Sequence, residues 1–422
     1  MSDKNPVYKA GPMFRGFSRS IPVAITQGVA MAARFAMLAV AARLSSVSDF
    51  GIYTTVSAVV AWAGVLVMGG WPSLMIATVP KEGVTREEIR RVEGKLLKAA
   101  IFLAIPQGLL LRIVLGENFT FGIAAATTLL LIAISMGTVT NETHRATGRV
   151  LSSRILFAAV PPLITVFSLL VFHFLVSSVA ALFIIFGVAL GWVGLWLAAR
   201  ASIQYSQASR SGASFEKRHP YNRRDFLVIK IAQSLLASGD VVVVAAVAGI
   251  TASALYGVAR RVATVAGLGL NSVSMLYGPR LSQVSNDPIK LRSVTREATL
   301  LSVVFSLPIA AVIGIFGNPV LRVFGADYAE AKPILLILLT GVVVSGIFGP
   351  VGTVVHVNGQ ERLSRNVMLF ATSGFIICLY PATLLWGAIG AAATWAVATA
   401  AWNIALWTKV DYSFYAMNHP SS

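Results

Sequence analysis

A chain of 422 residues with 56% hydrophobic and only 12% charged side chains is not an ordinary soluble domain, where about a quarter of the residues would be charged. Its 34 lysines and arginines against 17 acids give a formal charge of +17, which in a soluble chain would suggest nucleic acid, so the placement of these cations decides their meaning. A single cysteine, Cys378, sits in an apolar run and can form neither an intrachain disulfide nor a cysteine-based metal cluster.

Apolar stretches of about 20 residues, each enough to cross a ~30 Å hydrocarbon layer as a helix, recur along almost the whole chain. In order they cover roughly 20–44, 50–79, 96–115, 121–141, 154–176, 179–199, 226–250, 253–279, 297–317, 332–356, 364–385 and 387–408. The basic stretch from Lys4 to Arg19 runs into the first span without a recognisable processing site, so the first helix is expected to be retained. Between the sixth and seventh spans, a polar segment from Arg200 to about Asp225 carries Arg210, Lys217, Arg218, Arg223 and Arg224. It reads as a cytoplasmic linker (201–225) between an N-terminal six-helix half (1–200) and a C-terminal six-helix half (226–422). The fold class is therefore an all-α polytopic membrane protein of about twelve transmembrane helices.

The cations obey a one-sided rule. With both termini on one side, the opposite side holds only Arg43, Arg112, Arg322 and Lys332, while Arg34, Arg260 and Arg261 fall within spans and all the other basic residues share the side of the termini. Such a bias marks the cytoplasmic face, so the charge reports topology and no nucleic-acid partner is expected. Anionic membrane lipids are natural contacts for the same residues.

The two halves repeat a pattern. Gln27 precedes Arg34 by seven residues in the first span, and Gln233 precedes Asp240 by seven in the seventh, so each pair shares a helix face. DFGIYTTVSAVVAWAG in the second span answers SALYGVARRVATVAG in the eighth, and ATGRVLSSRI after the fourth answers VNGQERLSRNV after the tenth. Six spans per copy make the repeat parallel, with a pseudo-twofold axis along the membrane normal and a central cavity between the halves.

A short polar turn followed by DFGIY, then ALYGVARRV leading to YGPRLSQ, and FGADYAEAKPILLILL resemble the polysaccharide and O-antigen flippases. That family belongs to the multidrug/oligosaccharidyl-lipid/polysaccharide exporter superfamily. The resemblance runs from about Ser20 to Thr408. It implies a flippase in the bacterial inner membrane that carries a lipid-pyrophosphate-linked oligosaccharide repeat unit to the outer leaflet for surface or exopolysaccharide synthesis. A polysaccharide polymerase and export machinery are the partners it implies.

A charged side chain at mid-bilayer costs about 2.5–3.5 kcal/mol on insertion scales, so it faces a wet cavity or a partner. Arg34 lies too deep in the first span for easy snorkelling, and is read either as a cavity residue or as the ion-pair partner of Asp240 at matching depth. In the eighth span Tyr256, Arg260, Thr264, Gly267, Asn271, Ser274 and Gly278 project within about 80° of one another on an ideal helix. That stripe selects Arg260 to face the cavity and leaves Arg261 for an interhelical contact or the outer interface. Guanidinium groups match phosphate oxygens in bidentate geometry, so the substrate-binding candidates are Arg34 and Arg260, then Gln27, Asn271, Tyr256 and Arg261.

Asp240, with Gln233 nearby, is the candidate for coupling a proton or sodium ion, or else a salt-bridge partner. Gly69, Gly70 and Pro72, with Gly349 and Pro350, are candidate bending points. No phosphate-binding loop, zinc spacing or paired-carboxylate site occurs in the sequence, so an enzyme is not expected, nor a cofactor or metal. The alternative is a cation-coupled exporter of drugs or metabolites of the same superfamily, whose cargo would favour carboxylates over arginines. A twelve-helix chain enclosing its own cavity is expected to function as a monomer.

Overall fold

The computed structural model describes residues 12–205 and 223–412, so most of the expected linker lies outside the described residues. The first half contains α1 (Pro12–Leu44), α2 (Val47–Met68), α3 (Trp71–Glu82), α4 (Arg86–Leu115), α5 (Phe121–Ala146), α6 (Val150–Leu175) and α7 (Ala181–Ser202). The second contains α8 (Arg223–Ala248), α9 (Ile250–Ala266), α10 (Leu268–Gln283), α11 (Pro288–Ile315), α12 (Gly317–Arg322), α13 (Lys332–Phe348), α14 (Val351–Val357) and α15 (Glu361–Lys409). Nine segments among the described residues are long and apolar enough to cross a membrane. Two crossings are supplied by α15, which is broken at Trp386 and Gly387, and α1 with the α9–α10 pair completes the twelve.

Local chemistry sets the ends. Thr85 and Glu88 form a reciprocal capping box that starts α4 well before its apolar run. Ser46 caps α2 by accepting from the Asp49 amide, and Asp287 caps α11 by accepting from those of Ile289 and Lys290. The expected bending points are true helix breaks: Gly69 and Gly70, at φ 49° and 87°, part α2 from α3, and Gly349, at φ 64°, parts α13 from α14. A further break at Gly267 divides α9 from α10.

Burial separates central from peripheral helices. In α2, 72% of the apolar window is buried, against 28% in α4 and in α11, which leave most of their apolar surface uncovered by other helices. Lipid removes the hydrophobic drive between helices, so close approach depends on small residues and shape. Where the halves meet, α2 packs on α8 and α9. A Cβ on Gly51 would stand 2.2 Å from the Ile250 carbonyl oxygen, and one on Gly257 would stand 3.0 Å from the Thr54 methyl. Both glycines lie in the stretches that the repeat sets against each other, DFGIY and LYGVA. The Thr55 and Ser253 hydroxyls bond beside them at 3.0 Å.

The same end of the bundle is tied further. Arg43 Nε donates to the Val323 carbonyl at 2.7 Å. Phe35 meets Phe324 edge-on at 4.8 Å between ring centroids, and Phe50 meets Tyr328 at 6.0 Å. The two halves are thus closed together at the end opposite the basic loops.

Candidate functional site

On the basic-loop side of that closure, the halves enclose a cavity of about 360 Å³. Its first-half wall is Ala30, Met31, Arg34, Phe35 and Leu38 of α1 with Arg154 and Phe157 of α6; its second-half wall is Arg261, Thr264, Val265 and Leu268. The last four recur at helical spacing, so one face of α9 running into α10 fronts the cavity.

Three guanidinium groups therefore converge from three helices. Arg34 lies over the Phe157 ring at 4.4 Å, a cation–π contact that fixes its direction without neutralising it. Arg154, from the start of α6, is close enough to Arg34 to repel it. Arg261 stands over Phe50 and Tyr53 at 5.8 and 5.6 Å. Among the described residues no carboxylate forms an ion pair with any of the three, although Glu142, paired with Arg145, is close enough to Arg154 to favour its charge; Arg154 Nε and Arg261 Nη1 are buried without a hydrogen-bond partner. Like charges crowded in a half-desolvated space and left with free donors are an arrangement that a multiply charged anion would satisfy.

Arg260 and Arg261 exchange the places read from the sequence. Arg260, 9% exposed, turns into the second half, where Nε donates to Asp240 Oδ2 at 3.1 Å and the guanidinium stacks on Trp395 at 3.7 Å. Asp240 is fully buried; Oδ2 also accepts the Tyr256 hydroxyl at 2.6 Å, and Oδ1 accepts the Val241 amide at 2.9 Å. The Tyr256–Arg260 face thus seeks a buried carboxylate on α8 instead of the cavity, which rotates the cavity face by one residue. Asp240 pairs with Arg260 and not with Arg34.

Of the other sequence candidates, Asn271 is exposed on α10 and Gln233 is half-buried on α8, and neither lines the cavity. Gln27 lies on α1, but its side chain is outside the described residues. Arg154 escapes sequence reasoning because it sits at a span boundary among loop cations and reads as one more topology signal. Its place in LSSRI, ahead of the apolar run of α6, is the only hint the sequence offers.

The architecture matches solved membrane transporters. A lipid II flippase MurJ in an inward closed conformation is 14% identical, over 94% of this chain and 90% of that chain, with a TM-score of 0.72. An inward-facing multidrug resistance MATE family transporter of the MOP superfamily is 12% identical, over 92% of this chain and 96% of that chain, with a TM-score of 0.67. The Vibrio cholerae MATE transporter VcmN, in its bent form, is 14% identical, over 96% of this chain and 97% of that chain, with a TM-score of 0.57. At these identities the likeness shows the fold, two six-helix halves around a central cavity. No sequence among curated proteins matches the chain. The profile of the family described as "Polysaccharide biosynthesis protein" matches residues 40–333, a stretch that includes Arg154, Arg261 and the α2–α9 contact. The chain belongs to that polysaccharide biosynthesis family.

Proposed function

We propose that the protein is a flippase that moves a lipid-pyrophosphate-linked oligosaccharide from the cytoplasmic to the outer leaflet of the bacterial inner membrane for surface polysaccharide synthesis. The observation that carries this reading is the convergence of Arg34, Arg154 and Arg261, none of them ion-paired to a carboxylate among the described residues, on a cavity between the two halves. A diphosphate carries adjacent negative charges that three guanidiniums engage at once, and their charge survives partial desolvation. The lipid chain stays in the bilayer while the polar head crosses inside the protein, which avoids exposing sugar hydroxyls to hydrocarbon.

Family membership and the likeness to a lipid II flippase support a lipid-linked substrate. The likeness to MATE transporters supports alternating access but not their cargo, because a cationic drug would be repelled by this cavity. With the basic loops in the cytoplasm, the closed α2–α9 contact lies on the outer side and the cavity belongs to the inward-facing half of the cycle. Asp240 serves as the counter-ion of Arg260, since its carboxylate is already engaged by three donors.

The test is genetic. In host cells lacking the native copy, Arg34→Gln, Arg154→Gln and Arg261→Gln at matched membrane levels are expected to abolish or severely reduce surface polysaccharide. Full polymer output from all three would refute the assignment.

A further inference from the structure

A second basic depression, outside the central cavity, carries an inference that rests on no part of the substrate assignment. At the basic-loop end, Arg86 and Arg90 of α4 and Leu197, Arg200, Ala201, Ile203 and Tyr205 at the end of α7 enclose about 330 Å³. None of these residues lines the central cavity. The acids of the same stretch of α4 are already committed. Glu87 pairs with Arg91, and Glu88 closes the Thr85 capping box. Glu93 accepts from Arg200 at 2.5 Å and from Trp196 Nε1 at 2.7 Å. Arg86 and Arg90 are exposed and, among the described residues, form no ion pair with a carboxylate.

The pocket is also shaped. The Tyr205 hydroxyl donates to the Arg200 carbonyl at 3.2 Å, which fixes the ring as a wall, and Arg86 lies over that ring at 5.1 Å. Farther along α4, Leu97 and Ile101 lie on the same helix face as Arg86 and Arg90, and with Leu197 of α7 they form an exposed apolar ridge beside the pocket. Cations at headgroup depth below a continuous apolar ridge match an amphiphile with an anionic head.

We propose that the groove between α4 and α7 is a binding site for an anionic glycerophospholipid of the leaflet at the basic end, its phosphate held by Arg86, Arg90 and Arg200 and its chains lying along the ridge. A free anion would use the arginines but not the ridge. A zwitterionic lipid brings an ammonium group into a cationic pocket.

Native mass spectrometry of the purified protein, titrated with phosphatidylglycerol, tests the site. The wild type is expected to retain one phosphatidylglycerol that phosphatidylcholine does not displace. R86Q/R90Q is expected to hold it about 30-fold more weakly, at about fivefold per basic residue lost beside an anionic headgroup. Arg322→Gln, at the other end of the bundle, should leave the binding unchanged, and monodisperse elution of R86Q/R90Q shows that it is folded. Equal phosphatidylglycerol affinity in wild type and double variant would overturn the proposal. So would equal affinity for phosphatidylcholine, or displacement of the lipid by glycerol phosphate at equal concentration, which would mark a site for free anions.

Discussion

Asp240→Ala is the perturbation whose cost the structure defines most closely. It removes a fully buried carboxylate and strands the guanidinium of Arg260, 9% exposed, and the fully buried hydroxyl of Tyr256. Breaking a buried ion pair from one side costs about 3–5 kcal/mol, because the remaining charge loses its partner without regaining water. At roughly 2 °C per kcal/mol for a large chain, the detergent-solubilised protein should melt about 6–10 °C lower. Adding Arg260→Met removes the stranded charge and should recover about 2 kcal/mol or more, even though the stacking on Trp395 is lost. The coupling from the double-mutant cycle is therefore large and of rescuing sign. If Asp240→Ala melts like wild type, or the second substitution restores nothing, the carboxylate is not a structural counter-ion and ion coupling regains its claim on it.

Two further perturbations probe the closed end and a helix cap. Gly51→Ala places a Cβ against the Ile250 backbone, so the halves must separate at that end; a cysteine at position 55, with Cys378 replaced by serine, should react faster with a membrane-impermeant maleimide than it does beside Gly51. Unchanged labelling would show that this contact does not hold the end closed. Asp287→Ala removes an N-cap whose carboxylate is held below its ordinary value of 3.8, chiefly by the Lys290 amide. A depressed carboxylate stabilises above its unfolded value and ceases to do so as pH falls through its folded one. The wild type should therefore melt higher than the variant at neutral pH, and the gap should close well below pH 3.8. A gap that persists in acid would assign the effect to something other than the charge.

The membrane architecture was legible because lipid imposes a strong and simple rule on the sequence. Each expected span falls on a helix or on a pair of helices broken at glycine, and even the division between 385 and 387 coincides with the break at Trp386–Gly387. Helices that outrun their apolar core, such as α4 from Arg86, follow from caps and side-chain pairs in the flanking polar sequence. The site was less legible for two reasons. Adjacent arginines differ by 100° around a helix, and only the position of Asp240 on a neighbouring helix settles which one turns inward. Arg154 joins the cavity through the packing of α6 against α1, a long-range contact that no local pattern in LSSRI encodes.

The proposed transport cycle turns on unneutralised guanidiniums that hold an anionic head between the two halves. Movement of a fluorescent polyprenyl-pyrophosphate oligosaccharide across proteoliposomes, followed by its exposure to an impermeant quencher, reads that step itself. The wild type should move this lipid far faster than an uncharged glycolipid with the same sugars, and Arg34→Gln and Arg261→Gln should each slow it at least about tenfold, the equivalent of one charge-assisted contact. Equal rates for the charged and uncharged lipids, or undiminished rates in both variants, would mean that the cavity arginines do not act on the diphosphate.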